Sequence, residues 1–258
     1  MFLGFGLQLG AQSYSPSLFS SFSPLDLGPL WFVDVSEQGA VFQDALGTTP
    51  AASGDPVGYI RDLSGNGNHI LASSDAARGV MNISGGVSWV ELDGVDDFFQ
   101  AALTGLSADH TMIIGLRPIS KSTGNDSSVS LGNGAGTYQI AAGTIQPDYA
   151  CAVVSSNLGL TSFNSGTNIV TDVAQALRLN AGNASADLFM DASLVRSSPT
   201  AYNGGLGSAL TLRVGSNRAP NAFLNMRFHA GAIFNRALTD AEIAQMAAWI
   251  AGKQGRTL

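Results

Sequence analysis

Short apolar runs alternate with polar positions and turn residues over most of this 258-residue chain, and the pattern is clearest at positions 87–99. Val90 and Leu92 alternate there with Glu91 and Asp93, which is the two-residue period of a half-buried strand. The glycine after Asp93 favours a tight turn, because glycine adopts the positive φ that a residue with a Cβ resists. The pattern predicts a strand, a turn and a second strand that begins with two phenylalanines.

The same kind of pattern predicts short strands along the rest of the chain. Residues 188–195 predict a hairpin with Asp191-Ala192 at its turn. Residues 169–180 fit the period of a helix or of a strand, and the neighbouring strands favour the strand. Residues 110–116 alternate little, which is typical of a central strand. The other predicted strands are 30–35, 57–62, 69–72, 127–131, 137–141, 149–155, 158–163, 210–215 and 223–234.

One helix is predicted near the C-terminus. Thr239 and Glu242 have the spacing of a capping box, in which each side chain bonds to the other's backbone N–H group. Ile243, Met246 and Ile250 then recur at helical spacing and form an apolar stripe. We therefore expect a short amphipathic helix that covers a sheet face or a sheet edge.

Composition fits one all-β domain and excludes several classes of partner. The chain is 45% hydrophobic and 12% charged, with 31 glycines against 9 prolines, which suits many strands and tight turns around a sizeable core. Its net charge of −7, without a basic cluster, argues against binding nucleic acid. No apolar run reaches transmembrane length, so no membrane insertion is expected. Cys151 is the single cysteine, which excludes an intramolecular disulfide.

Residues 1–29 differ from the remainder and are treated as an N-terminal arm. They are rich in Gly, Ser, Phe and Leu, and they carry no charge before Asp26. Aromatic side chains in such a segment need a surface to cover them. Two interpretations stay open: the arm attaches the domain to a partner, or it packs along the edge of its own domain.

Four segments resemble the laminin-G and concanavalin A-like superfamily. They are LWFVDVS at 30–36, VGYIRDLSGNGNH at 57–69, VELDGVDDF at 90–98 and GAIFNRALTDAEI at 231–243. The resemblance covers about residues 30–255 and implies one domain, 30–258. It implies an all-β fold: a jelly-roll sandwich of two antiparallel sheets with one C-terminal amphipathic helix.

The combination of this domain with a short Gly/Leu/Phe-rich start is similar to small bacteriophage virion proteins. That similarity implies a non-enzymatic structural or adhesion domain on the surface of the particle, as a capsid decoration or as part of a tail or fibre. Its partners would be other virion proteins through the arm, host-surface glycans and further copies of itself. The alternative is a soluble carbohydrate-binding module, since this fold alone does not fix a function.

Glycoside hydrolysis is the remote alternative, because Glu91, Asp93 and Asp96 partly resemble the Glu-x-Asp-x-x-Glu strand of jelly-roll glucanases. On one strand Glu91 and Asp93 would share a face roughly 6.5 Å apart. However, the last position holds Asp instead of Glu, and the predicted turn at Asp93 would end the strand before Asp96. We therefore expect no enzymatic activity and interpret these carboxylates as turn caps.

Calcium is the candidate cofactor that the resemblance suggests, because laminin-G-like domains often hold this ion through loop oxygens at the sandwich rim. Calcium takes six to eight hard oxygen ligands. The residues that could supply them are Asp62, Asn66, Asp93, Asp96 and Asp97. The competing interpretation is that Asp62 and Asn66 cap turns through bonds from side chain to backbone.

Aromatic side chains near loops could stack on a sugar without catalysis. The candidates are Tyr138, Tyr149, Tyr202 and Phe223, although an aromatic in such a position is more often part of the core or rim than a platform for a ligand. The three histidines lie in apolar contexts, where a hydrogen-bonded structural role is expected.

Overall fold

A computed structural model of the chain describes residues 22–121, 127–132, 140–145, 148–154, 163–164, 171–182, 185–199, 209–217 and 222–258. The arm up to residue 21, Tyr138 and Tyr202 lie outside these residues, as do the side chains of Tyr149 and Cys151 and most of the strand predicted at 158–163. The strands are β1 (Trp31–Asp34), β2 (Val41–Phe42), β3 (Tyr59–Ile60), β4 (Ile70–Ala72), β5 (Val80–Ser84), β6 (Val87–Asp93), β7 (Phe99–Leu103), β8 (His110–Lys121), β9 (Ser127–Gly132), β10 (Ile140–Ile145), β11 (Asp148–Val154), β12 (Phe163–Asn164), β13 (Val173–Asn180), β14 (Ser185–Met190), β15 (Ser193–Pro199), β16 (Leu210–Val214) and β17 (Leu224–Phe234). A 3-10 helix (Pro24–Leu27) precedes β1, and an α-helix, α1 (Asp240–Lys253), follows β17.

The described strands form two antiparallel sheets. One has eight strands in the order β15-β14-β13-β8-β17-β6-β5, with β1 beside β17. The other has nine strands in the order β12-β11-β10-β9-β16-β7-β4-β3-β2. Strand β17 pairs with β8 on one side, and with β6 and then β1 on the other. The predicted all-β sandwich of two antiparallel sheets is confirmed, and so is the central position of the strand that begins at His110.

The segment with the clearest alternation links the two sheets. Strand β6 belongs to the eight-stranded sheet, whereas β7 belongs to the nine-stranded sheet. Between them Gly94 adopts a φ of 75°, the left-handed region that the predicted turn requires. The turn therefore carries the chain across the edge of the sandwich and places its acidic residues at the rim.

Inward-facing side chains of both sheets form the larger apolar core. Val90 and Leu92 of β6 meet Phe99 of β7 and Leu212 of β16, all without exposed surface. Burying a side chain of this size contributes about 1.5–3 kcal/mol relative to leaving it in water. The alternation in β6 follows directly, because Glu91 and Asp93 must then point away from this core.

Helix α1 lies on the outer face of the eight-stranded sheet and forms the second, smaller core. The helix buries Ile243, Met246 and Ile250, as its apolar stripe predicts. Small residues beneath it, Ala174 and Ala176 among them, let the helix approach the sheet closely. No helix among the described residues is long and apolar enough to span a membrane.

The predicted capping box at the start of α1 is confirmed. The Thr239 hydroxyl accepts a hydrogen bond from Glu242 N–H at 3.3 Å, and the Glu242 carboxylate accepts one from Thr239 N–H at 2.8 Å. Both carboxylate oxygens of Glu242 also bond to the Arg236 guanidinium, at 2.9 and 2.7 Å. These bonds lower the pKa of Glu242 to about 2, with the Arg236 contact as the largest cause.

Two local predictions had different outcomes. The turn of the hairpin between β14 and β15 is confirmed, because Asp191 and Ala192 have φ values of 45° and 70°. The strand predicted at 57–62 shrinks to the two residues of β3. Its backbone instead bonds to several neighbours, with Val57 N–H reaching Gly79 and Arg61 N–H reaching Ala40.

Candidate functional site at the acidic rim

The turn between β6 and β7 is held by its own carboxylates. Oδ1 of Asp93 accepts hydrogen bonds from the N–H groups of Val95 at 2.7 Å and Asp96 at 3.4 Å. Oδ2 of Asp97 accepts one from Asp93 N–H at 3.0 Å. The turn thus carries three carboxylates, of which those of Asp93 and Asp97 accept hydrogen bonds from its backbone.

Asp93, Asp96 and Asp97 offer one oxygen each within 4.8 Å of one another. Asp97 is only 6% exposed, whereas the other two are open to solvent. Burial, with a smaller contribution from the negative charges of Asp93 and Asp96, raises the pKa of Asp97 from 3.8 to about 6. The hydrogen bond from Asp93 N–H offsets part of that rise. The turn thus holds a carboxylate that would gain from a nearby cation.

A pocket of about 310 Å³ opens beside this turn on the outer face of the eight-stranded sheet. We call it the rim pocket. Its Asn225 Oδ1 is buried and has no hydrogen-bond partner among the residues that the structure describes. Asn225 reaches the turn because β17 pairs with β6 in a register that sets it opposite Asp93. The rim pocket is lined by Val80, Asn82, Glu91, Asp93, Asp97 and Asn225.

An aromatic and charged cluster adjoins the rim pocket. The Arg227 guanidinium lies 4.6 Å from the centre of the Trp89 ring, and its Nε is 3.5 Å from Oε2 of Glu91. Trp89 Nε1–H donates to the same Glu91 oxygen at 3.3 Å. Glu91 is therefore held on the outer face by one hydrogen bond from Trp89 and an ion pair with Arg227, and it points outward together with Asp93.

Asp62 and Asn66 lie in a different turn, where they bond to the protein itself. Oδ1 of Asp62 accepts from the N–H groups of Phe32 and Ser64, both at 3.0 Å. Its Oδ2 accepts from the Ser64 hydroxyl and from Asn68 N–H, both at 2.8 Å. The side-chain amide of Asn66 donates to the carbonyl oxygens of residues 29 and 30, at 3.2 and 3.0 Å. Of the five predicted calcium ligands, the structure brings Asp93, Asp96 and Asp97 together, whereas the side chains of Asp62 and Asn66 bond to protein groups in another turn. The calcium site itself stays a prediction.

Phe223 and the three histidines make contacts with the protein itself. Phe223 lies against Phe98, with ring centres 5.9 Å apart, so it is a rim aromatic. His69 accepts a hydrogen bond from Asp62 N–H at 3.0 Å. His110 is buried and bonds to backbone carbonyls, and burial lowers its pKa to about 4. His229 lies between the Ser88 carbonyl and the carboxylate of residue 172.

Sequence reasoning missed Asn82, Asn225 and Arg227 as parts of the rim. Each lies on a strand that pairs directly with β6, and none belongs to a recognisable sequence motif. Their proximity to Asp93 depends on the pairing of β5 and β17 with β6. In the case of β17, the paired strands are more than a hundred residues apart in the sequence. The local sequence carries no signal for that register.

The sequence matches no protein-family model and no curated protein. Solved structures resemble the fold at 11–13% identity. Domain 4 of a GH43 extracellular arabinanase from Geobacillus stearothermophilus, solved with arabinotriose, has a TM-score of 0.60, 11% identity and coverage of 85% of this chain and 98% of that chain. The binding domain of Paraclostridial Mosquitocidal Protein 1 has a TM-score of 0.59, 13% identity and coverage of 87% and 53%. Trypanosoma rangeli sialidase has a TM-score of 0.55, 11% identity and coverage of 90% and 34%.

These likenesses show the fold, a β-sandwich of two antiparallel sheets. The chain spans nearly all of the arabinanase domain, about half of the toxin binding domain and about a third of the sialidase.

Calcium is expected to stabilise the chain through the three rim carboxylates, whose oxygens are the ligands that this ion prefers. The raised pKa of Asp97 means that its ionised form is destabilising in the folded state without a cation. With a calcium chelator present, the contribution of Asp97 to the free energy of unfolding should therefore rise by about 1–2 kcal/mol as the pH falls from 7 to 5. It is measured as the difference between wild type and Asp97→Asn, because buried His110, whose pKa is lowered to about 4, changes the total stability in the opposite direction over the same range. Calcium affinity should fall over the same pH range, because the ion requires the deprotonated carboxylate.

Asp97→Asn isolates this group. With a calcium chelator present at pH 7, the variant should be about 1 kcal/mol more stable than wild type. The substitution removes a buried charge but keeps an oxygen that accepts the hydrogen bond from Asp93 N–H. It should also lose the calcium-induced rise in Tm, measured by calorimetry. A variant that still responds to calcium as wild type does would contradict the prediction.

Proposed function

We propose that this chain is a non-catalytic binding domain that recognises surface glycans through the rim pocket, displayed on the surface of a bacteriophage particle. The observation that carries the glycan assignment is the pocket itself, where three carboxylates and two amides converge. Such groups form the directional hydrogen bonds that sugar hydroxyls need. Trp89 beside them adds an amphipathic ring of the kind that stacks on sugars.

The fold supports a binding role without fixing the ligand. One similar domain was solved with arabinotriose, and another is named as a binding domain. The rim position suits recognition, because the turns at a sandwich edge can vary while the sheets hold them rigidly.

The contacts of Glu91 favour binding over hydrolysis. Its carboxylate is engaged by Trp89 and Arg227, and Asp93 is engaged by its own turn. A hydrolase needs one carboxyl group with a raised pKa to act as an acid opposite a second that stays ionised. The raised pKa belongs to Asp97, whose Oδ2 is held by the backbone of the turn.

The phage assignment rests on the resemblance of the arm and domain together to virion proteins. Under this assignment, the arm at residues 1–29 attaches the domain to the particle, where the domain is a capsid decoration or a tail or fibre component. The rim then faces outward. Mass spectrometry of purified particles tests this assignment directly, and absence of the chain from particles would reject it.

A glycan array with the full chain tests the rim pocket. Asn82→Ala and Glu91→Gln should each weaken binding of the captured glycan about tenfold, the equivalent of one good hydrogen bond. Asp75→Asn is a matched control, because the Asp75 side chain is 96% exposed and forms one 3.8 Å ion pair. Glycan binding that is unchanged in both rim variants, or an array without any bound glycan, would overturn the assignment.

A further inference from the structure

A pocket of about 440 Å³ opens where the described end of the arm, residues 22–29, meets helix α1. Its lining comes from the 3-10 helix and the residues just before it, from β1 and the turn that follows, and from the last turns of α1. We call it the arm pocket. Its volume is within the range of pockets that bind small ligands or single side chains of a partner.

Most of the lining is apolar, and part of it is left uncovered. The rings of Phe32 and Trp249 meet edge to face, with their centres 5.5 Å apart. Phe22 and Trp249 are half-buried, and Leu25 is 49% exposed. Tryptophan and arginine are among the side chains that contribute most to protein–protein contacts. The arm pocket therefore has the apolar surface that a side chain of a partner protein could bury.

The charged groups around the arm pocket leave negative charge without a partner. Lys253 Nζ lies 2.6 Å from Oδ2 of buried Asp34 and donates to the Ser36 hydroxyl at 3.0 Å, so the charges of Lys253 and Asp34 neutralise each other. Glu37 lines the arm pocket, is exposed and forms no ion pair among the described residues. Asp26 of the 3-10 helix is a second exposed carboxylate. A cation is therefore the charged group that this pocket would attract.

The arm pocket and the rim pocket lie at opposite ends of strand β17. Phe32 of the arm pocket pairs with Ala232 near the end of this strand, whereas Asn225 of the rim pocket stands near its start. A strand rises about 3.3 Å per residue, so about 20 Å separate the two positions. With the rim facing outward, as in the proposed function, the arm pocket is at the end of the molecule that is left for attachment.

We infer that the arm pocket is the docking site for a segment of a partner protein in which an arginine stands beside an apolar residue. The apolar side chain covers Leu25 and Trp249, and the guanidinium pairs with the Glu37 carboxylate. Arginine suits this contact better than lysine, because its guanidinium is more weakly hydrated and matches a carboxylate with two parallel donors. The net charge of −7 on the chain also favours a basic partner at longer range.

The source of the partner and its chemistry have different support. That the partner is a protein of a phage particle rests on the proposed function. That its segment is basic and apolar rests on the residues of the arm pocket alone.

Three peptides that differ at one residue test the charge preference: acetyl-Leu-Arg-Leu-amide and its counterparts with glutamine or glutamate in the centre. The indole N–H signal of Trp249 in the NMR spectrum of the full chain reports binding, and Trp249→Phe identifies that signal. The arginine peptide should bind about three to five times more tightly than the glutamine peptide, which is the size of effect that one exposed ion pair gives. The glutamate peptide should bind most weakly, and added salt should reduce these differences.

Two variants separate the charged contact from the apolar one. Glu37→Gln should lower the affinity of the arginine peptide to that of the glutamine peptide and leave the glutamine peptide unchanged. Leu25→Ala should weaken all three peptides at least threefold, and its Tm should stay close to that of wild type because Leu25 is half exposed. Glu91→Gln at the rim is the matched control and should bind the three peptides as wild type does.

Equal affinity for the three peptides, or an arginine preference that survives in Glu37→Gln, would overturn the inference. A Trp249 signal that no peptide shifts would also overturn it, because the arm pocket would then be closed to partners. Absence of the chain from purified particles would reject the proposed function without changing any of these peptide results, so the two failures are distinguishable.

Discussion

Replacing Asp62 by alanine should lower the free energy of unfolding by about 3–4 kcal/mol, measured by urea denaturation. The Asp62 side chain is 4% exposed and accepts four hydrogen bonds at 2.8–3.0 Å. One of these ties Phe32 of β1 to a turn thirty residues further along the chain. Its removal leaves several buried donors without partners, and each costs about 1–3 kcal/mol unless water reaches it.

Two comparisons show whether the loss comes from this hydrogen-bond network. Asp62→Asn keeps one oxygen acceptor but turns an amide group toward donors. Its free energy of unfolding should therefore lie between those of wild type and Asp62→Ala. Asp75→Ala removes an exposed carboxylate with one long ion pair and should change stability by no more than the error of the measurement. The calcium-induced rise in Tm should survive in Asp62→Asn. Loss of that rise, with the rim carboxylates intact, would show that Asp62 is a metal ligand after all.

Asp62 and Asp93 illustrate what the sequence could not decide about the site. Both precede turn residues, and both were equal candidates for a calcium rim on residue type alone. The difference lies in long-range contacts: Asp62 meets the backbone of β1, whereas Asp93 meets only its own turn and faces solvent. These long-range contacts determine which carboxylate is buried, and the residues next to each aspartate in the sequence do not predict them.

The fold was largely predictable because its signals are local. Three signals each predict the backbone conformation of a few neighbouring residues, and each was confirmed: the alternation around Val90, the glycine after Asp93 and the capping box at Thr239. The strand predicted at 57–62 was too long, because its backbone N–H groups bond to several separate segments instead of to one neighbouring strand. The sheet order depends on pairings across more than a hundred residues, such as β6 with β17, and was not predicted. Only the arrangement in two antiparallel sheets came from the family resemblance.

The rim pocket could not be found in the sequence for a related reason. Asn225 lines this pocket only because the strand register sets it opposite Asp93.

Gly115→Ala should destabilise the chain by about 2 kcal/mol, because the added Cβ would lie 2.5 Å from Cγ2 of Ile250 in helix α1. No other atom comes within 3.4 Å of that Cβ, so Ile250 is the one side chain that must move. Ile250→Ala should itself cost about 2–4 kcal/mol, since it leaves a cavity under a fully buried position.

The double variant tests whether the small residues under α1 exist to admit the helix. With Cγ2 of Ile250 removed, the alanine at position 115 has room, so the double variant should be about as stable as Ile250→Ala alone. The two substitutions should therefore show a coupling of about 1–2 kcal/mol in a double-mutant cycle. Gly252→Ala on the same helix is the matched control, because its added Cβ meets no atom within 4 Å, and it should stabilise the chain slightly. Additive losses at positions 115 and 250 would mean that the sheet, and not the contact with the helix, requires glycine at position 115.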